Sequence, residues 1–286
     1  MAGRAAGGLG PARSPYWRIN APLWESDLRR EGSIGLLRIE EPDAAVLMWA
    51  RPQKVDPGQF GEADMGRVSL VAYGQPRAIV RAIARAPGRL PGPTWAMFPK
   101  ELTEHFDVSL DSWFGSHRGV QWDFYWTDTP VAPRPGQDEV RRLSGRQARQ
   151  TVPAFLADAN PTSSTNAAID SHRWWTIPAS SGEPAAVVGI QDGKDINGEP
   201  VAYLAGLGTD RKLRGRGLAG ALVAGVVERE LEDHVAVHLG MWAGNDAAKK
   251  VYEGLGFVHG GTQAFATTAP IVARGRAAIM VAGADA

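Results

Sequence analysis

Arg214-Gly215-Arg216-Gly217-Leu218-Ala219 is the stretch of this 286-residue chain whose residue types and spacing point most directly to chemistry. Glycines placed between arginines let a ligand approach the backbone closely, with cations beside it. Ahead of the loop, Val201 to Leu207 is an apolar run of strand character that turns at Gly208-Thr209-Asp210. Behind it, Leu218, Leu222 and Val226 form one helical stripe, and Ala219, Val223 and Val227 the next. A glycine loop opening a helix gathers unpaired N–H groups at the positive end of the helix dipole, which suits a phosphate. Other readings stay open on these residues alone. One is a surface turn whose arginines face solvent. The nucleotide-hydrolase phosphate loop is excluded, because no Gly-Lys-Ser/Thr closes the motif. A dinucleotide fingerprint fits Gly215-x-Gly217-Leu218-Ala219-Gly220, but its acidic partner should follow a second strand. Glu228, Glu230, Glu232 and Asp233 lie on the helix or its exit instead.

The next segment decides between them. His234 to Ala243 reads as a buried strand, and Asn245 to Phe257 follows as N-x-x-A-x-x-x-Y-x-x-L-G-F. R-x-x-G-x-A, a strand and this second motif, in that order, resemble the GNAT superfamily of acyl-CoA-dependent N-acyltransferases. The resemblance is specific over Glu199–Phe257 and extends in outline over Gln137–Ala282. It implies an α/β fold with a mixed, mostly antiparallel central sheet flanked by helices, acetyl-CoA as co-substrate, and no metal. The pyrophosphate would sit on the N–H groups of Arg214, Gly215, Arg216, Gly217, Leu218 and Ala219. The pantetheine arm would pair with the backbone of Leu207 and Thr209, and Asn245 would reach it while capping its helix. Thr209 departs from the usual Val or Ile, but its backbone would still serve.

In the resembled family a tyrosine protonates the leaving thiolate. Tyr252, about two helical turns after Asn245, is the candidate acid, although its spacing alone would equally suit packing with Val251 and Leu255. The base is less defined. Tyr203 stands where the histone-acetylating branch carries glutamate, and a phenol near 10 is a poor base. His238, on the neighbouring strand, has a suitable intrinsic pKa and is the candidate base, beside relay through water or an acceptor that arrives neutral. Trp174, Trp175, Tyr203 and Trp242 would line an acceptor site for an apolar or aromatic amine, a small molecule rather than a protein. The competing class is a catalytically silent acyl-CoA-binding sensor.

The remaining composition sets bounds. Net charge is +0, from 31 basic and 31 acidic residues, which gives no footprint for nucleic acid or a membrane surface. No cysteine is present, so disulfides, thiolate metal sites and a cysteine nucleophile are excluded. No apolar run reaches the ~18 residues needed to span a bilayer, and the Gly/Ala/Arg-rich N-terminus lacks the apolar core of a secretory signal. A cytoplasmic protein is expected, and a homodimer is compatible with it. Residues 1–15 read as a mobile tail, 16–127 as an α/β partner domain with the look of a degenerate copy of the same fold, and 137–286 as the catalytic domain. Residues 128–136, with three prolines and a glycine, form the linker.

Overall fold

The computed structural model describes residues 14–51, 67–115, 117–161, 163, 165 and 172–267. The expected tail lies outside the described residues up to residue 13, and so does the stretch 268–286 of the expected catalytic domain. Ser14 and Pro15 already begin a helix. In chain order the elements are α1 (Pro15–Leu28), β1 (Ile34–Glu41), β2 (Ala44–Arg51), β3 (Arg67–Gly74), α2 (Pro76–Ile83) and β4 (Trp95–Pro99). Then come α3 (Val108–Phe114), β5 (His117–Thr127), β6 (Arg141–Arg142), α4 (Gly145–Ala159), β7 (Arg173–Pro178), β8 (Pro184–Lys194) and β9 (Pro200–Thr209). The last are α5 (Leu218–Glu230), β10 (Ala236–Trp242), α6 (Asp246–Leu255) and β11 (Val258–Thr267).

Contacts group these elements into two units. Of the described residues, the first comprises those from Ser14 to Asp123 together with 195–197 and 260–267, and the second those within 124–194 and 198–259. Residues 260–267 thus fall with the first unit, because β11 pairs antiparallel with β4 from Gln263↔Pro99 to Thr267↔Trp95. That pairing joins residues far apart in sequence, and no local pattern announces it.

In the first unit β1, β2 and β3 form an antiparallel meander, and α2 carries the chain across to β4, parallel to β3. Every residue of β2 from Ala44 to Ala50 is buried, which is why its apolar run shows no alternation. Pro76 stands at the first helical position of α2, where its missing N–H and fixed φ cost nothing. Ala78, Ile79 and Ile83 face the core with Leu70, Phe98 and Phe114, while Arg77, Arg81 and Arg85 are exposed.

The second unit repeats that connectivity: an antiparallel meander of β7, β8 and β9, then α5, then β10 parallel to β9. Its core gathers Leu222, Val223, Val226 and Val227 of α5 with Ile190, Leu204, Val237, Leu239, Tyr252 and Phe257. Before α4, Gln137–Glu139 coil into a 3-10 turn, which leaves β6 only the two residues Arg141–Arg142. α4 runs through Pro153 rather than breaking there. A mid-helix proline costs about 3 kcal/mol. The Ser144/Gln147 capping box and the buried stripe Ala148, Val152, Leu156 and Ala159 offset it.

Candidate functional site

The site is built where β9 parts from β10. Its parallel register with β10 runs Val201↔Ala236, Ala202↔Val237 and Tyr203↔His238, and ends there, although β9 continues to Thr209 and β10 to Trp242. On the opposite edge β9 carries one residue more than β8. Ala205 pairs with Gly189 and Gly208 with Val187, so Gly206 and Leu207 together face Val188. This bulge is of the kind whose first residue takes positive φ, and Gly206 supplies it at +62°. A side chain there would also strike the Trp174 ring, 2.8 Å from where its Cβ would stand.

The bulge fixes which way the backbone groups point. The Asp210 N–H donates to the Ala185 carbonyl at 2.9 Å, so Asp210 and Gly208 face β8. By alternation Leu207 and Thr209 direct their amides to the other edge, beyond the reach of the β10 ladder. Their carbonyls are engaged by side chains. Asn160 Nδ2 donates to Leu207 O at 2.9 Å, and Arg214 Nε donates to Thr209 O at 3.4 Å. What remains on that edge is a pair of N–H donors without a strand partner among the described residues.

At the end of β9 the chain enters the glycine loop. Asp210 accepts from the Lys212 N–H at 2.8 Å and caps a short 3-10 turn over Arg211–Leu213. Gly215 and Gly217 stand at φ +76° and +80°, and Gly217 is the N-cap of α5 with no side chain over the helix end. A Cβ at either position would meet nothing within 4 Å, so space is free outside the loop and φ is what demands glycine. The first-turn N–H groups of α5 therefore open outward. Not all the loop cations face that opening. Arg214 Nη2 donates to Ala159 O at 2.7 Å and Arg211 Nε to Asp158 O at 2.9 Å, both at the C-terminus of α4. Lys212 and Arg216 are exposed and make no side-chain hydrogen bond or ion pair among the described residues.

Asn245 caps α6 by accepting from the Ala248 N–H at 3.1 Å. One face of that helix buries Tyr252, which is only 4% exposed and packs against Phe257 and Tyr125 with ring centroids 5.5 and 6.2 Å apart. Its hydroxyl makes no hydrogen bond among the described residues. Burial, and then the neighbouring Tyr203, push the Tyr252 phenol well above its ordinary value. Burial likewise lifts Tyr203 to about 12 and drops His238 to about 3. The His238 ring lies 5.2 Å from Tyr203 and 5.9 Å from Phe124, so aromatic faces replace water around it. All three groups are uncharged at neutral pH. An imidazole whose conjugate acid lies near 3 is a feeble proton acceptor, and burial removes the property that singled His238 out in the sequence.

This has a consequence for stability. Unfolded, His238 titrates near 6.5; folded, near 3. The unfolded chain binds the extra proton between those values, so stability is complete above pH 6.5 and declines as pH falls toward 3. The loss between pH 7.5 and 5 amounts to about 2 kcal/mol. Urea melts of wild type and His238→Phe at the two pH values should show the variant losing less by that amount. Equal losses would mean the imidazole is not buried in neutral form.

The four aromatic residues expected around an acceptor do not all share one face. Trp174 and Trp175 are neighbours in β7 and point to opposite sides. Trp174 is 3% exposed beneath α4 with Val152 and Leu156, whereas Trp175 packs under α5 with the Arg229 guanidinium 5.7 Å from its ring. Tyr203 and His238 stand together, and alternation along β10 puts half-buried Trp242 on the His238 side. Asn160 and Arg211 had no motif to mark them, since their partners are backbone carbonyls distant in sequence.

Residues 139–257 match the family model described as Acetyltransferase (GNAT) family. Those residues are a GNAT acetyltransferase domain. They hold β9, the glycine loop, Asn160, His238, Asn245 and Tyr252, while Phe124 and Tyr125, which pack on His238 and Tyr252, lie before them. The activity class carried by this GNAT domain is acyl transfer. A GCN5-related N-acetyltransferase from Kribbella flavida is similar in fold at 15% identity and TM-score 0.52, covering 95% of this chain and 100% of its own. Another from Sphaerobacter thermophilus reaches TM-score 0.51 at 15% identity, with 90% and 93% covered. A GNAT-family acetyltransferase from Colwellia psychrerythraea reaches 0.50 at 12%, with 82% and 85% covered. At such identities the likeness is one of fold, and it takes in both units. No curated protein matches the chain.

One cluster in the GNAT domain has the residue types of a metal site: Asp192, Glu230 and His234. The Arg173 guanidinium fills it, donating to Glu230 at 2.9 and 2.7 Å and to Asp192. Burial alone would raise the Asp192 carboxyl, but hydrogen bonds from Arg173 and His234 hold it below its ordinary range. The cluster is an ion-pair network that ties β7 and β8 to α5. No described helix is long and apolar enough to cross a membrane.

Proposed function

We propose that the protein transfers the acetyl group of acetyl-CoA to the nitrogen of a primary amine, on a small molecule rather than on a protein. One observation carries this reading: the free, donor-lined edge of β9 runs directly into the open glycine loop that starts α5. The loop suits a pyrophosphate, and the edge suits an amide-bearing arm ending in a thioester. The nitrogen lone pair attacks the thioester carbonyl carbon, and the oxyanion meets the N–H of Leu207. One such donor contributes roughly 2.7–4 kcal/mol. The C–S bond then breaks with its electron pair going to sulfur, and a proton lost by nitrogen balances the one sulfur gains. Tyr252, kept protonated by burial, hydrogen-bonds to the departing sulfur and hands on that proton.

A protonated alkylamine must first become neutral, at a cost of about 4–5 kcal/mol near pH 7. Neither His238 nor Tyr203 is matched to take that proton, so it leaves through water or the acceptor arrives neutral. Thiol release with a panel of primary amines should therefore rise about tenfold per pH unit from 7 to 9 for an alkylamine acceptor. A plateau from pH 7 upward would contradict this and point to a resident base.

We further infer that the first unit is a degenerate copy. It repeats the connectivity of the second, but β3 passes through Gly74-Gln75 straight into Pro76 of α2. Proline supplies no N–H there, and no glycine loop precedes it. Acetyl-CoA is expected once per chain.

A further inference from the structure

The last turn of α4 is joined to residues 206–214 at five places. Arg211 and Arg214 donate to the carbonyls of Asp158 and Ala159, and Asn160 Nδ2 donates to Leu207 O at 2.9 Å. Beneath them the packing is flush. A Cβ on Gly206 would lie 3.3 Å from Leu156 Cδ1, and one on Gly208 would lie 2.9 Å from Leu156 Cδ2 and 3.3 Å from Ala159 Cβ. Asn160 itself is fixed to the helix, its N–H donating to Leu156 O at 2.9 Å. Its amide is thus aimed at one carbonyl by a turn that cannot slide along the strand.

We propose that Asn160 is a positioning residue for the acyl arm of the cofactor, holding the Leu207 peptide so that the free edge of β9 presents its N–H groups to the thioester. The inference rests on the acetyl-CoA reading above. Leu207 follows the bulge, where no ladder partner among the described residues fixes its carbonyl, so the Asn160 amide does what a neighbouring strand would otherwise do. Without it the carbonyl is left to water, the peptide turns, and the edge must be ordered by the ligand. The pyrophosphate cradle at Arg214 to Ala219 does not depend on that bond.

The two halves of the ligand separate these roles. Calorimetry with acetyl-CoA and with 3′-phospho-ADP, which keeps the phosphates but lacks the pantetheine arm, would be run on wild type, Asn160→Ala and the near-isosteric Asn160→Asp. Both variants should bind acetyl-CoA about tenfold more weakly and 3′-phospho-ADP as wild type does. Unchanged or tighter acetyl-CoA binding would overturn the proposal, tighter binding showing that Asn160 competes with the arm. Equal weakening toward both ligands would also overturn it, as the mark of a general structural role. Wild type that binds neither ligand would sink the acetyl-CoA reading itself, a result distinct from all of these.

Discussion

Tyr252→Phe should lower the rate of acetyl transfer about a hundredfold to a thousandfold while acetyl-CoA binds as before. The ring stays in place in the variant, packed on Phe257 and Tyr125. The lost hydroxyl makes no hydrogen bond among the described residues, so folding should be unchanged or slightly favoured. What disappears is the donor that meets the departing sulfur, and its effect is confined to the step in which charge develops there. Single-turnover thiol release, measured with saturating acetyl-CoA, isolates that step. A variant with wild-type turnover would reduce Tyr252 to a core residue, the role its spacing alone also allowed.

Gly206→Val should destabilise the protein by about 2–5 kcal/mol and abolish acetyl-CoA binding in the fraction that folds. Two costs combine. A β-branched residue at φ +62° is strained whatever surrounds it. Its Cβ would also stand 2.8 Å from Trp174 Cη2 and 3.3 Å from Leu156 Cδ1, in a region where both side chains are buried. Relief of either cost straightens the bulge. A straightened β9 slips its register by one residue beyond Ala205 and turns the Leu207 and Thr209 amides toward β8. Denaturant melts and calorimetry check the two effects separately. A stable variant that still binds would show that the bulge does not set the edge.

The parts of the site that could be read from the sequence are those built from neighbours along the chain. Gly215, Gly217 and the α5 stripes form one strand–loop–helix unit, and Asn245 with Tyr252 forms another; neither spacing is decisive alone, but the two in order mark these residues as candidates. The α/β class with a mostly antiparallel sheet came from the family resemblance that these two motifs carry. What stayed hidden depends on pairing across long separations. The β11–β4 ladder links residues more than 160 apart in sequence, such as Gln263 and Pro99. Asn160 and Arg211 act on carbonyls, and a carbonyl has no residue type to recognise. The grouping of Trp174 with Trp175 in one cleft overlooked strand alternation, which sends adjacent side chains to opposite faces. His238 carried the right intrinsic chemistry, but intrinsic chemistry does not report burial.

The central claim is that the glycine loop and the free edge of β9 together hold acetyl-CoA. Titration calorimetry of acetyl-CoA into wild type and Gly217→Glu tests it most directly. Space outside the loop is open, so the glutamate adds a carboxylate facing the pyrophosphate and a strained φ of +80° without disturbing the core. Saturable binding of one acetyl-CoA per wild-type chain, lost in the variant while its fold is retained, is the expected result. Absence of binding to wild type, or undiminished binding to Gly217→Glu, would contradict the account.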